Sequence, residues 1–170
     1  MDLDAIGCRN EKGVSVDFVK KFRATLNANG LEKVPIHGFD NWDKAKFDFA
    51  RRMTNDLELR NAVAILSAHA MATAPTPPDV LKISEEYHKP IWNTEEHVYQ
   101  KGFDCEISLV QAFNQNSLVS GVTKIVNWYL VASVYPLEPY PEDPALLIAN
   151  PPCSGHYAVR EVLWGYAQCL

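Results

Sequence analysis

The 170-residue sequence predicts an α/β fold made of parallel βα units, of the (β/α)8 or TIM-barrel type. Short runs rich in Val, Ile and Ala alternate with longer amphipathic stretches, which is the pattern of strands and helices taking turns. The third apolar run, Ala62-Val63-Ala64-Ile65-Leu66, shows no polar alternation, as expected for a strand covered on both faces. The repeat is about 28 residues, close to the roughly 31 per unit of an eight-unit barrel of about 250 residues. Five units are legible, and a barrel of eight strands does not close with five. The expectation is therefore a partial barrel catalytic domain over residues 1–170, holding only strands 4 to 8 with their helices and no second domain, with the preceding units missing. An open five-stranded sheet is the alternative.

Each element follows from local signals. Residues 3–8 read as the first strand. Residues 15–29 carry Phe18, Val19, Phe22 and Leu26 at helical spacing and stop at Gly30. A second strand at 34–38 precedes a helix over 42–54, with Asp40 or Asn41 as its cap. After the third strand at 62–66, the segment 70–78 is rich in Ala, Thr and Pro and predicts a loop before a helix over 79–88. The fourth strand is expected at 90–94, its helix at 106–119, and the fifth strand at 124–132. Interleaved prolines and aromatic residues make 134–155 a long ordered excursion, and 156–170 reads as a helix.

Composition narrows the function classes. With 47% hydrophobic and 22% charged residues, the chain has enough apolar material for a packed core. Its net charge of -5 comes without any run of Lys or Arg that would track phosphates, so no nucleic-acid partner is expected. No apolar run is long enough for a membrane span, and the amino-terminal residues lack the basic start and apolar run of a signal peptide. Cys8, Cys105, Cys153 and Cys169 are too dispersed for a zinc ribbon or a thioredoxin-like pair; they read as unpaired buried thiols, with 105–153 and 153–169 as alternative bridges. The five histidines show no metal-ligand spacing and no glycine-rich phosphate loop occurs, so neither metal nor cofactor is called for.

In parallel α/β folds the working side chains gather at the carboxyl ends of strands. Three such ends are polar: Asn10-Glu11, Ser67-Ala68-His69 and Asn93-Thr94-Glu95-Glu96-His97. Retaining hydrolysis of a glycosidic bond needs two carboxyl groups about 5 to 5.5 Å apart, one protonating the leaving oxygen and one attacking the anomeric carbon. Glu11 is the candidate acid/base and Glu95 the candidate nucleophile. Asn10 is placed to donate to the sugar 2-hydroxyl, and His69 to bond either Glu95 or the sugar. Glu96 and His97 read as loop residues and His156 as a satisfied structural histidine.

Several segments, in order, carry a family resemblance: Leu-Asp-Ala-Ile-Gly-Cys-Arg-Asn-Glu ending at Glu11, Pro-Ile-Trp-Asn-Thr-Glu-Glu ending at Glu96, Asn114-Gln-Asn116, Asn-Trp-Tyr-Leu-Val-Ala-Ser ending at Ser133, and Ser-Gly-His-Tyr ending at Tyr157. The sequence resembles the galactocerebrosidases, glycoside hydrolase family 59. The resemblance implies hydrolysis of terminal β-galactosides such as galactosylceramide, Glu11 as acid/base, Glu95 as nucleophile, Asn10 as a substrate-binding residue, and Trp128 and Tyr140 lining the galactose pocket. An aromatic face suits the C–H face of galactose. It also implies a lysosomal or secreted setting; a saposin-like lipid-presenting protein is a candidate partner that the sequence leaves open, and the strand count calls for further barrel strands or a second chain to close the barrel. Arg9 stands where the family pattern has Trp, and Cys153 close to another such position. A non-catalytic carbohydrate-binding remnant keeping Trp128 and Tyr140 is the competing expectation.

Overall fold

The computed structural model describes residues 6–8, 15–38, 40–42, 45–97, 103–128, 130–133, 145–149 and 154–169. Five strands, β1 (Ile6–Cys8), β2 (Ile36–Gly38), β3 (Ile65–His69), β4 (Ile91–Glu96) and β5 (Val122–Asn127), form one all-parallel sheet in the order β1-β2-β3-β4-β5. Strand order therefore follows chain order without reversal. Helices α1 (Val16–Ala28), α2 (Asp48–Arg52), α3 (Leu57–Ala62) and α4 (Pro78–Glu86) fall between the strands. Their apolar faces, including Val19, Ala50, Leu59 and Val80, pack with Ile36, Leu66, Ala68 and Ile91 in one core cluster. Side chains alternate along a strand, so these sheet residues mark the helix-covered face. The opposite face carries His37, Ser67, Trp92 and Lys124: His37 Nδ1 lies 2.9 Å from Ser67 Oγ, its ring meets Trp92 at 6.0 Å, and the Lys124 ammonium sits 4.5 Å above the Trp92 ring.

Local chemistry sets the boundaries. Ser15 caps α1 by accepting from Phe18 N–H at 3.2 Å, and Gly30 takes φ 73° just beyond its end. Asp56 caps α3, accepting from Leu59 N–H at 2.9 Å. Helix α3 runs through Ala62, so the third strand, expected at 62–66, is Ile65–His69. Asp56→Ala is expected to lower stability by about 1 kcal/mol in urea unfolding.

Other expectations change as well. The helix expected over 42–54 is a turn at 45–47 followed by the short α2, and Asp40 does not cap it, because the Asp40 carboxylate turns instead toward His69 and Thr94. Helix α5 (Phe103–Asn114) runs into a π-helical turn at Gln115–Val119. The strand expected over 124–132 splits: β5 stops at Asn127, and β6 (Val131–Ser133) joins a second sheet with β7 (Leu147–Ala149) and β8 (Tyr157–Val159). β8 replaces the start of the helix expected from 156, leaving α6 (Glu161–Cys169). Helices α5 and α6 share a small cluster of Leu109, Val162, Phe113 and Tyr166 with Leu146, which precedes β7. Cys153 and the side chains of Cys8, Cys105 and Cys169 lie outside the described residues. No helix among the described residues is long and apolar enough to cross a membrane.

Candidate active site

The polar residues at the carboxyl end of the sheet are aimed by irregularities in β4. Ala68 pairs with Asn93 but His69 pairs with Glu95, and Asn93 pairs with Ile125 while Glu96 pairs with Asn127. On both sides β4 therefore holds one residue more than its neighbour, which is the signature of a bulge. In a regular strand, residues three apart face opposite ways. Here Asn93 Nδ2 donates to Glu96 Oε2 at 2.6 Å, so the bulge turns both onto one face.

Glu95 and Glu96, adjacent in sequence, consequently occupy different environments. Glu96 is only 4% exposed. Its Oε2 also accepts from Asn116 Nδ2 at 3.0 Å and from Ala72 N–H at 3.1 Å. Asn93 and Asn116 are fully buried and bonded to each other at 2.8 Å. The π-helical turn inserts Asn116 here, consistent with such turns marking specialised positions. Glu96 is thus a buried carboxylate in a closed network, not the loop residue expected. His97 follows β4, half-buried, with its ring edge-on to Trp128 at 5.8 Å. Burial pushes its imidazole below the ordinary value, against the opposing pull of Glu96 and Glu95.

Glu95 lies toward the face opposite the helices, beside His69. Its Oε2 is 3.3 Å from Nδ1 of His69, which is 2% exposed, and His69 Nε2 is 2.6 Å from Asp40 Oδ1. Thr94 Oγ1 donates to the same Asp40 oxygen. Burial would raise the Asp40 carboxyl, but hydrogen bonds from His69 and Thr94, with the charge of both His69 and His37, hold it below the usual carboxylate range. Ala70, the next residue after β3, takes φ 50° and donates its N–H to the Glu95 carbonyl at 3.0 Å. Left-handed backbone at a non-glycine residue stores about 1 to 3 kcal/mol, located here where the strand end is clamped.

Of the residues expected to form a site, His69 and Glu95 are in contact. Trp128 directly follows β5 and donates its backbone N–H to the Glu96 carbonyl at 2.8 Å. Glu11, Asn10 and Tyr140 lie outside the described residues. His156 is exposed, its backbone N–H bonded to Ser154 Oγ at 3.1 Å, which replaces the expected structural role. A cleft of about 590 Å³ opens beside this end of the sheet, lined by Thr73, Glu96, His97, Gln111 and Gln115. Among the described residues, no group of three His, Cys, Asp or Glu side chains is placed to hold a metal ion.

Sequence reasoning gave no role at the site to Asp40, Thr94, Asn93, Asn116 or Lys46. Asp40 had a usable signal, since it stands two residues past β2. Lys46 had none. It is 5% exposed, and its ammonium donates to the carbonyls of His69 at 2.9 Å and Ala74 at 2.8 Å, bracketing the loop that follows β3. Burial lowers its pKa to about 8, with Glu96 opposing. A base with a depressed folded pKa binds fewer protons folded than unfolded between that value and the ordinary 10.5, so the desolvation cost is full below pH 8 and is relieved as pH rises. Relative to Lys46→Met, the stability of the chain should therefore increase by about 2 to 3 kcal/mol between pH 7.5 and pH 10. Paired urea titrations at the two pH values check the sign.

The comparisons with known proteins agree with one another. The Glycosyl hydrolase family 59 model matches residues 1–170. Galactocerebrosidases are similar to the chain in sequence: 31% identity over 168 residues with that of Homo sapiens, 30% over 165 with that of Canis lupus familiaris and 27% over 167 with that of Danio rerio. Each alignment covers 96% of this chain and 23% of the relative, so the chain spans about a quarter of their length. In structure it is similar to SrfJ from Salmonella typhimurium, with a TM-score of 0.72 at 15% identity over 97% of this chain and 41% of that one. It is also similar to the catalytic domain of GH30 xylanase C from Talaromyces cellulolyticus, with a TM-score of 0.65 at 15% identity over 89% and 34%. These two likenesses establish the shared α/β fold. With a family model matched along its whole length, the chain belongs to glycosyl hydrolase family 59.

Proposed function

We propose that residues 1–170 form one catalytic unit, strands 4 to 8 of a (β/α)8 barrel, and supply both catalytic carboxylates of a retaining glycoside hydrolase acting on terminal β-galactosides such as galactosylceramide. The observation that carries the reading is the Glu95 carboxylate, held at the carboxyl end of β4 on the face opposite the helices. Unreversed strand order, with α1 to α4 packed into one core against the sheet, suits successive staves of a barrel. In the reaction, Glu95 attacks the anomeric carbon while Glu11 donates its proton to the departing glycosidic oxygen, leaving a galactosyl ester on Glu95. Glu11, now a carboxylate, then takes a proton from water as the water oxygen displaces Glu95, which restores both groups. Asn10 would bond the 2-hydroxyl, and Trp128 and Tyr140 would face the ring. A galactolipid substrate suits a lysosomal or secreted setting and a lipid-presenting partner.

The test supplies the chain with the preceding barrel portion of Homo sapiens galactocerebrosidase and follows a fluorogenic β-galactoside together with a 2-fluoro-galactosyl inhibitor. Turnover with covalent labelling at Glu95 supports the proposal. Galactose binding without turnover favours the non-catalytic remnant, and labelling at another carboxylate overturns the assignment of Glu95.

A further inference from the structure

We propose that Asp40 is a positioning residue for Glu95, acting through the His69 ring and steadied by Thr94. The inference rests on the reading of Glu95 as nucleophile. Asp40 Oδ1 accepts from both Thr94 Oγ1 and His69 Nε2. Asp40 is held below the usual carboxylate range, and an ionised carboxylate only accepts, so at 2.6 Å Nε2 carries hydrogen. The partner of one ring nitrogen fixes what the other presents. Nδ1 is buried with no aligned hydrogen bond, and Glu95 Oε2 lies 3.3 Å away. Two lone pairs at that separation would repel; the contact is attractive only when a proton lies between them. A small rotation of the Glu95 carboxylate brings Oε2 onto the ring nitrogen, and catalytic contacts of this kind commonly tighten when substrate binds.

The consequence concerns orientation. The terminal torsion of a glutamate is broad and roughly two-fold, so an unheld carboxylate sweeps through many directions. Tying Oε2 to His69 leaves Oε1 as the oxygen presented to the anomeric carbon. The Ala70 N–H bond to the Glu95 carbonyl fixes the backbone below it. Other charged groups surround the ring without replacing Asp40. His37 and His97 act on it through charge, and Lys46 bonds the His69 carbonyl, not the ring. An Asp orienting an imidazole that serves a catalytic neighbour is a recurring arrangement, and displacement of a reacting group by about 1 Å costs on the order of 100-fold in rate.

Two readouts test this. In the complemented barrel, Asp40→Asn is expected to lower kcat by about 10- to 100-fold, with KM changed less than about two-fold, and to slow labelling of Glu95 by the same factor. Thr94→Val is expected to give a smaller loss in the same direction. Nitrogen NMR of the histidine rings in the chain is expected to show the His69 Nε2 signal moving in Asp40→Asn and the Nδ1 signal moving in Glu95→Gln. An unchanged kcat, a loss confined to KM, or a His69 ring indifferent to Glu95→Gln overturns the proposal. If Asp40→Asn does not fold, Thr94→Val and the Glu95→Gln spectrum decide. Failure of the wild type to label at Glu95 overturns the nucleophile assignment instead, while the ring signals still report the Asp40–His69–Glu95 linkage independently of turnover.

Discussion

Glu95→Gln in the complemented barrel should abolish β-galactoside turnover, lowering kcat by at least about 10⁴-fold, because an amide oxygen neither attacks the anomeric carbon effectively nor forms a stable ester. Stability should change little. Among the described residues the Glu95 carboxylate makes no aligned hydrogen bond; it approaches His69 Nδ1 at 3.3 Å. Substrate affinity, read as inhibition by galactose, should stay within a few-fold of the wild type. Residual turnover above about 1% of wild type would exclude Glu95 as nucleophile, whereas a collapsed melting temperature would mean that its role is structural.

Glu96→Ala should behave in the opposite way, costing about 3 kcal/mol or more of unfolding free energy. Removing one partner of a buried charged network leaves the others desolvated and unpaired. Here the losses are one bond of Asn93 Nδ2, one bond of Asn116 Nδ2, and the bond of the Ala72 N–H. The damage should spread to the loop after β3, since Ala72 is in that loop, and to the π-helical turn that positions Asn116. Glu96→Gln keeps shape and one acceptor and should cost roughly 1 kcal/mol. Urea midpoints of the two variants decide the matter; an Ala variant within 0.5 kcal/mol of the wild type, on the order of an ordinary surface substitution, would show that the network is not structural. Adjacent glutamates, one expected to cost rate and the other stability, make each the control for the other.

This pair also shows where reading the chain in one dimension succeeds and fails. The period of apolar runs located five parallel strands, and the rule that polar groups collect at their carboxyl ends singled out the Ser67-to-His69 and Asn93-to-His97 segments. Glu96 was misplaced as a loop residue because simple alternation cannot anticipate the extra residue in β4, which depends on the registers of both neighbouring strands. Asp40 was misread as a helix cap for a related reason. Asp is a good cap wherever a helix might follow, and only the packing of β2 against β3 shows that His69 Nε2 lies within 2.6 Å of it. Lys46 could not be seen at all, since its two acceptors are backbone carbonyls, which every residue carries.

What the amino-acid sequence determined by itself was the class of fold, the succession of its strands and helices along the chain, and the family, because hydrophobic periodicity and short ordered motifs are properties of the linear chain. What only the tertiary structure decided was the division of labour at the strand ends: which carboxylate is locked into a buried network, which faces His69, and which aspartate sits behind that ring. Those distinctions arise from bulges and from bonds between residues 20 to 54 positions apart. Their geometry exists only once neighbouring strands have paired and excluded water.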